Sequence, residues 1–191
     1  MDSLEEMFLG ATGISSLPQV SYGPVANEAM LGNQQPQLTQ AEQNYNTFLN
    51  SARSIFGDNP VILSALSGNA AVESAYSFDP AQKQIGGGGG EGVYQFDFHK
   101  PYYNKFLKDN NLKDTVDSQN QYVYENIYGS LQDVVGEGNA KAIREAFAGN
   151  DPQVANEVFM KRFLRPGKPH ADRRAKETDL YFQKMPSLLG Q

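Results

Sequence analysis

The sequence predicts a mainly α domain with a small β or irregular segment near residues 77–97. Apolar residues recur at helical spacing over most of the chain, helix-start signals precede them, and one glycine-rich interval breaks the pattern. Thr39-Gln40-Ala41-Glu42 has the capping-box order, in which a hydroxyl and a carboxylate each satisfy an orphan backbone N–H. Behind it Tyr45, Phe48, Leu49, Ala52 and Phe56 form one apolar face, and Gly57 closes the helix. Asp58-Asn59-Pro60 starts the next, with Asn59 as cap and Pro60 at the first helical position. Val61, Ile62, Leu63, Ala65, Leu66, Ala70 and Val72 make this second helix apolar nearly all round, which assigns it to the centre of a core.

Residues 77–97 change texture: Asp79-Pro80, five consecutive glycines from Gly86 to Gly90, then Glu91-Gly92-Val93-Tyr94-Gln95-Phe96-Asp97. Short β-rich pieces around a mobile glycine loop are expected there. Helices resume at about 101–109, 117–129, 139–148, 152–164 and 169–183, with Asp151-Pro152 repeating the cap-plus-proline start. Residues 1–38 contain no Lys or Arg, and their apolar residues follow no period. They read as an extended or disordered arm, either a loose terminus or a docking element. The expected organisation is therefore an arm (1–38), a globular domain (39–184) and a short C-terminal tail (185–191).

Composition narrows the function classes. The chain has 191 residues and no Cys, which excludes disulfides, a thiolate nucleophile and Cys-ligated zinc. Its two histidines, His99 and His170, exclude a His-rich metal site and leave a metallopeptidase without its His-Glu-x-x-His motif. A net charge of −6 argues against a nucleic-acid partner. No apolar run approaches the ~20 residues of a membrane-spanning helix. The first residues carry Asp2, Glu5 and Glu6 and no cation, unlike a secretory signal, so no export signal of its own is expected.

Glu73 is the candidate for chemistry. It ends the apolar helix among Ala70, Ala71, Val72 and Ala75, and such a setting disfavours the carboxylate and retains a proton. A general acid for glycosidic cleavage needs that property. A helix-end carboxylate facing solvent is the alternative, and pattern alone leaves both open. Asp79, Glu91 and Asp97 follow, and either Asp97 or Glu91 could supply a second carboxylate. Gly86–Gly90 lacks the Lys-Ser/Thr of a phosphate loop and reads as a lid or a plain flexible loop. Tyr76, Phe78, Tyr94, Phe96, Phe98, Tyr102 and Tyr103 divide between core and groove. Lys161–Lys176 holds seven basic residues against Asp172, a local charge of +6 that either attracts an anionic polymer or forms a solvated face.

Three stretches together resemble one family. Asn69-Ala-Ala-Val-Glu73-Ser74 with Phe78-Asp79-Pro80, then Gly90-Glu91-Gly92-Val93-Tyr94-Gln95-Phe96-Asp97, then Leu164-Arg165-Pro166-Gly167-Lys168-Pro169-His170 with Arg173-Arg174, resemble the phage tail lysozyme family. That family is part of the lysozyme-like superfamily with goose-type lysozymes and lytic transglycosylases. The resemblance covers roughly residues 58–183. It implies a lysozyme-like fold, a muramidase-type glycosidase cleaving the MurNAc–GlcNAc β-1,4 bond of bacterial peptidoglycan, Glu73 as general acid, and Asp97 placing water. It also implies that Tyr94, Gln95, Glu91 and Ser74 line the saccharide groove, with no metal or cofactor. The chain departs from the family pattern in two places: Ala75-Tyr76 precede Ser77-Phe78-Asp79, and the glycine strip lacks an Asp, having Glu91 at its far end. Hydrolysis and transglycosylation both stay open. The implied setting is a virion, as a tail or internal ejection protein acting in the host periplasm or cell wall, with residues 1–38 docking other virion proteins. The alternative is a catalytically inactive structural or ejection component that keeps the domain.

Overall fold

The computed structural model describes residues 37–85 and 88–190. Chain packing separates residues 1–40 from residues 41–191. The expected arm, apart from residues 37 and 38, lies outside the described residues, as do Gly86 and Gly87 of the expected mobile loop.

Eight α-helices are described: α1 (Gln40–Phe56), α2 (Pro60–Glu73), α3 (Lys100–Asp109), α4 (Val116–Ile127), α5 (Gln132–Val135), α6 (Glu137–Phe147), α7 (Pro152–Phe159) and α8 (Ala171–Leu189). Both cap-plus-proline starts form. The Asn59 side chain accepts from Val61 N–H at 2.9 Å, and the Asp151 side chain accepts from Gln153 N–H at 2.8 Å. Every residue of α2 from Val61 to Ala71 is buried, as its all-round apolar sequence requires. The helix lies against α7 and α8. Its contact with α8 is backbone-close at Gly68, where a Cβ would fall 2.8 Å from the Thr178 nitrogen and 2.2 Å from its Oγ1. Gly68→Ala is therefore expected to force these helices apart at a cost on the order of 1–3 kcal/mol. Thermal melting followed by circular dichroism should show Tm lowered by several degrees, and an unchanged Tm would mean that the contact relaxes freely.

The expected β or irregular segment at residues 77–97 takes its irregular form, without the short β-rich pieces: the β pairing described there is a single antiparallel bridge, Lys83 to Glu91. Extended backbone is broken by Gly92 at φ +84° and Gln95 at φ +50°, and the Gln95 and Phe96 N–H groups close turns onto Gly92 and Glu91 carbonyls. The residues after 184 are helical rather than a tail. Met185 is fully buried and holds α8 through Pro186, and Gly190 at φ +72° ends it. The expected helix 152–164 is also divided, its second half being a π-helical turn, Met160–Leu164, that ends at Arg165 in left-handed geometry.

An aromatic core links the irregular segment to the helices. Phe78, Tyr94, Phe96 and Tyr103 are all buried, and Phe96 touches the rings of Tyr103, Tyr122 and Phe163. Phe48 of α1 meets both Phe78 and Tyr94. These anchors fix both ends of residues 78–96 and so hold the backbone that faces the end of α2.

Candidate active site

The C-terminal end of α2 opens into a groove of about 840 Å³. Glu73 lines it together with Gln84, Gln95, Asp97, Phe98, Arg165, Lys168, His170 and Arg173, and the Arg165 guanidinium lies over the Phe98 ring at 5.3 Å. Three features of the sequence build this end. Ser74 caps the helix, its N–H and Oγ both donating to the Ala70 carbonyl, and its Oγ accepts from Phe78 N–H at 3.1 Å. Tyr76 N–H donates to the Ala71 carbonyl, closing a tight reversal. Ala75, Tyr76 and Phe78 all take positive φ between 47° and 67° to make that reversal. Non-glycine residues in this region store strain, and here three of them lie within five residues of Glu73.

The Glu73 side chain is 15% exposed. Burial raises its pKa above the ordinary carboxyl value, against the opposing pull of Arg174 and, more weakly, His170. Its place at a helix C-terminus, where backbone carbonyls point outward, works in the same direction as burial. Arg174 Nη2 donates to Glu73 Oε1 at 2.7 Å, from a side chain only 1% exposed. Asn69, one turn before Glu73 on the same face of α2, accepts from Arg174 Nη1 at 2.9 Å.

The other candidate residues separate clearly. Gln95 and Asp97 line the groove with Glu73. Gln95 donates its amide to the Gln82 and Gly92 carbonyls, leaving a buried Oε1 without a partner among the described residues. Asp97 reaches the groove from an irregular segment, so strand alternation is not what brings it beside Gln95. Its carboxylate lies over Gly89, where a Cβ would come within 2.6 Å of Oδ1. The glycine run therefore has a packing use: Gly88 and Gly90 make the same room for the side chains of Gln84 and Gln95. Glu91 sits outside the groove lining, half-exposed, with Lys100 Nζ at 2.8 Å, which holds its carboxyl below the ordinary value.

Tyr94 and Ser74 do not reach the groove. Tyr94 is 1% exposed, its hydroxyl donating to Asn120 Oδ1 at 2.7 Å in the core, and Ser74 is fully buried in its cap. Both are scaffold for the residues beside them. Arg174 belongs to the Arg173-Arg174 pair of the family resemblance, which gives it no role; the Asn69/Glu73 spacing of four residues marks the face of α2 that it meets.

Among the described residues no three His, Asp or Glu side chains gather as a metal ion would require. The family model that matches the chain is that of phage tail lysozyme, over residues 39–185. The chain belongs to the phage tail lysozyme family. Membership carries a lysozyme-like function directed at peptidoglycan and an association with bacteriophage. None of the curated proteins and none of the solved structures matches the chain. The matched span reaches from α1 into the last turns of α8, so it includes every wall of the groove. Within those residues no helix is long and apolar enough to cross a membrane.

Proposed function

We propose that this phage tail lysozyme family member is a virion-associated muramidase that cleaves the MurNAc–GlcNAc β-1,4 bond, with Glu73 as general acid. The observation that carries the reading is a largely buried carboxyl at the end of a core helix, its pKa raised by burial against the pull of Arg174, and open to a groove large enough for saccharide units. Glu73 gives its proton to the bridging oxygen as the C1–O bond breaks, and the positive charge developing on the muramic ring is met by an acceptor from the groove. Gln95 Oε1 is buried and lacks a protein donor, and a turn of this groove-lining side chain would let it accept from an N-acetyl N–H or a hydroxyl. The exposed Phe98 ring, with the Arg165 guanidinium 5.3 Å over it, offers an aromatic and cationic contact for a sugar. Arg165, Lys168 and Arg173 in the groove lining suit the carboxylates of the muramyl peptide.

One observation favours the inactive alternative: the Arg174 guanidinium on Glu73 stabilises the ionised form, which cannot donate a proton. Digestion of purified peptidoglycan, with mass analysis of the released muropeptides, decides between the two. Release of disaccharide-peptides supports the enzyme, and intact sacculi support a structural or ejection component.

The same assay reads Asp97. If its carboxylate activates water, Asp97→Asn should reduce turnover by ~10-fold or more while binding of glycan persists, and wild-type products should carry reducing ends. Anhydro-muropeptides together with near-normal activity of the variant would show that the muramic 6-hydroxyl is the acceptor and the enzyme a lytic transglycosylase.

A further inference from the structure

Arg174 is a permanent cation placed in the protein interior, and each edge of its guanidinium is occupied. Nε donates to the Pro169 carbonyl at 2.7 Å, Nη1 to Asn69 Oδ1 at 2.9 Å and Nη2 to Glu73 Oε1 at 2.7 Å. Asn69 is itself fixed, its amide donating to the Ala65 carbonyl and to Asn156 Oδ1 at 2.6 Å. The guanidinium thus joins α2, α7, α8 and the segment before α8, and it cannot turn without breaking several bonds. Such an arrangement exceeds what neutralising one carboxylate requires, because a single exposed contact would do that.

We propose that Arg174 is the positioning residue of the acid: it holds Oε1 and thereby confines the transferable proton to Oε2. The inference rests on the reading of Glu73 as general acid. Oε1 accepts from a charged donor and has no lone pair suitably placed to carry the proton toward Arg174. Oε2 has no protein partner among the described residues and belongs to the side chain that lines the groove. The other ionisable groups lining that groove are Arg173 from α8, Arg165, Lys168 and His170 from the segment before it, and Asp97. Among the described residues Arg174 is the basic side chain that bonds the acid, while Arg173 donates to the Tyr76 hydroxyl and Arg165 to the Val135 carbonyl. The net result is opposed forces on one group. Burial favours the protonated form, and Arg174 limits how far that tendency goes while fixing the proton's direction.

A general acid works while protonated, so its rate falls as pH rises through its pKa. Removing the Arg174 charge removes support for the carboxylate. In Arg174→Gln the alkaline limb of kcat/KM should move up by at least ~1 pH unit. Its plateau kcat should drop on the order of 10–100-fold with KM little changed. Arg174→Lys keeps a charge but not the three-way fork, so its limb should stay near the wild-type position while kcat falls ~10-fold. The Glu73 carboxyl carbon, followed by NMR titration without substrate, should shift upward in Arg174→Gln. An unmoved limb and titration in that variant, or wild-type kcat in Arg174→Lys, overturns the proposal. If Arg174→Gln does not fold, kcat of Arg174→Lys decides. Wild type that releases no muropeptide, with the NMR shift still present, overturns the muramidase reading and leaves the Arg174–Glu73 coupling standing.

Discussion

Glu73→Gln is expected to lose ~10²–10⁴-fold of glycan-cleaving activity while keeping a cooperative fold. Gln is nearly isosteric, and its side-chain carbonyl can still accept from Arg174 Nη2, so the buried guanidinium keeps all three partners. What the amide cannot do is release a proton to the departing oxygen. Leaving Arg174 bonded matters for the test, because a buried charge stripped of its partner costs several kcal/mol and would confuse loss of chemistry with loss of structure. The measurement is the rate of muropeptide release from purified peptidoglycan, accompanied by far-UV circular dichroism and a melting curve. A variant that melts like wild type and digests at a similar rate removes Glu73 from the mechanism. A variant that melts normally and is inert supports the assignment.

The position of Glu73 was legible because its helix is. An apolar run too uniform to be amphipathic must be central, and the Asn59-Pro60 start sets where it begins, so its end falls near Glu73. Gln95 and Asp97 were legible through their likeness to the family pattern, and the structure places both at the groove by a route other than the expected strand. The strand failed as an inference because alternation assumes extended backbone, which a left-handed Gln95 interrupts; no local signal announces a positive φ at a non-glycine residue. Tyr94 illustrates the same limit. A tyrosine beside a groove residue reads equally as lining or as core, and the choice depends on whether a distant acceptor, here Asn120, exists for its hydroxyl. The basic stretch was misleading in another way. Charge counting treats Arg174 and Lys161 alike, whereas Lys161 pairs on the surface with Glu157 and Arg174 is buried on Glu73.

Acid should weaken the fold through His99 before it affects most carboxylates. His99 is 2% exposed, its ring stacked on Phe163 at 4.3 Å. Nε2 lies 3.0 Å from the Phe163 carbonyl, which can only accept, so Nε2 carries the proton, and Nδ1 accepts from the Tyr122 hydroxyl at 3.0 Å. That neutral tautomer satisfies both neighbours, and the charged form does not. Burial, helped by the nearby Arg165 charge and opposed by the bond to Phe163, lowers the pKa from 6.5 to about 4. The unfolded chain then binds a proton that the folded one refuses, so stability is full above pH 6.5 and declines as pH falls toward 4. At 1.36 kcal/mol per unit this amounts to roughly 3 kcal/mol. Glu73 has the opposite sign, because its raised pKa makes the folded state the better proton binder as pH falls. Urea denaturation of wild type and His99→Gln across pH 4 to 7.5 separates the contributions. Gln can donate to Phe163 and accept from Tyr122 without titrating, so its stability should vary much less over this window. Equal pH slopes for the two proteins would show that His99 is not the sensitive group. The consequence for activity follows from the chain: Phe163 lies in the π-helical turn that leads to Arg165 and the basic wall of the groove. Protonating His99 loosens that wall, so the acid limb of activity should move to lower pH in His99→Gln even though the residue lies outside the groove.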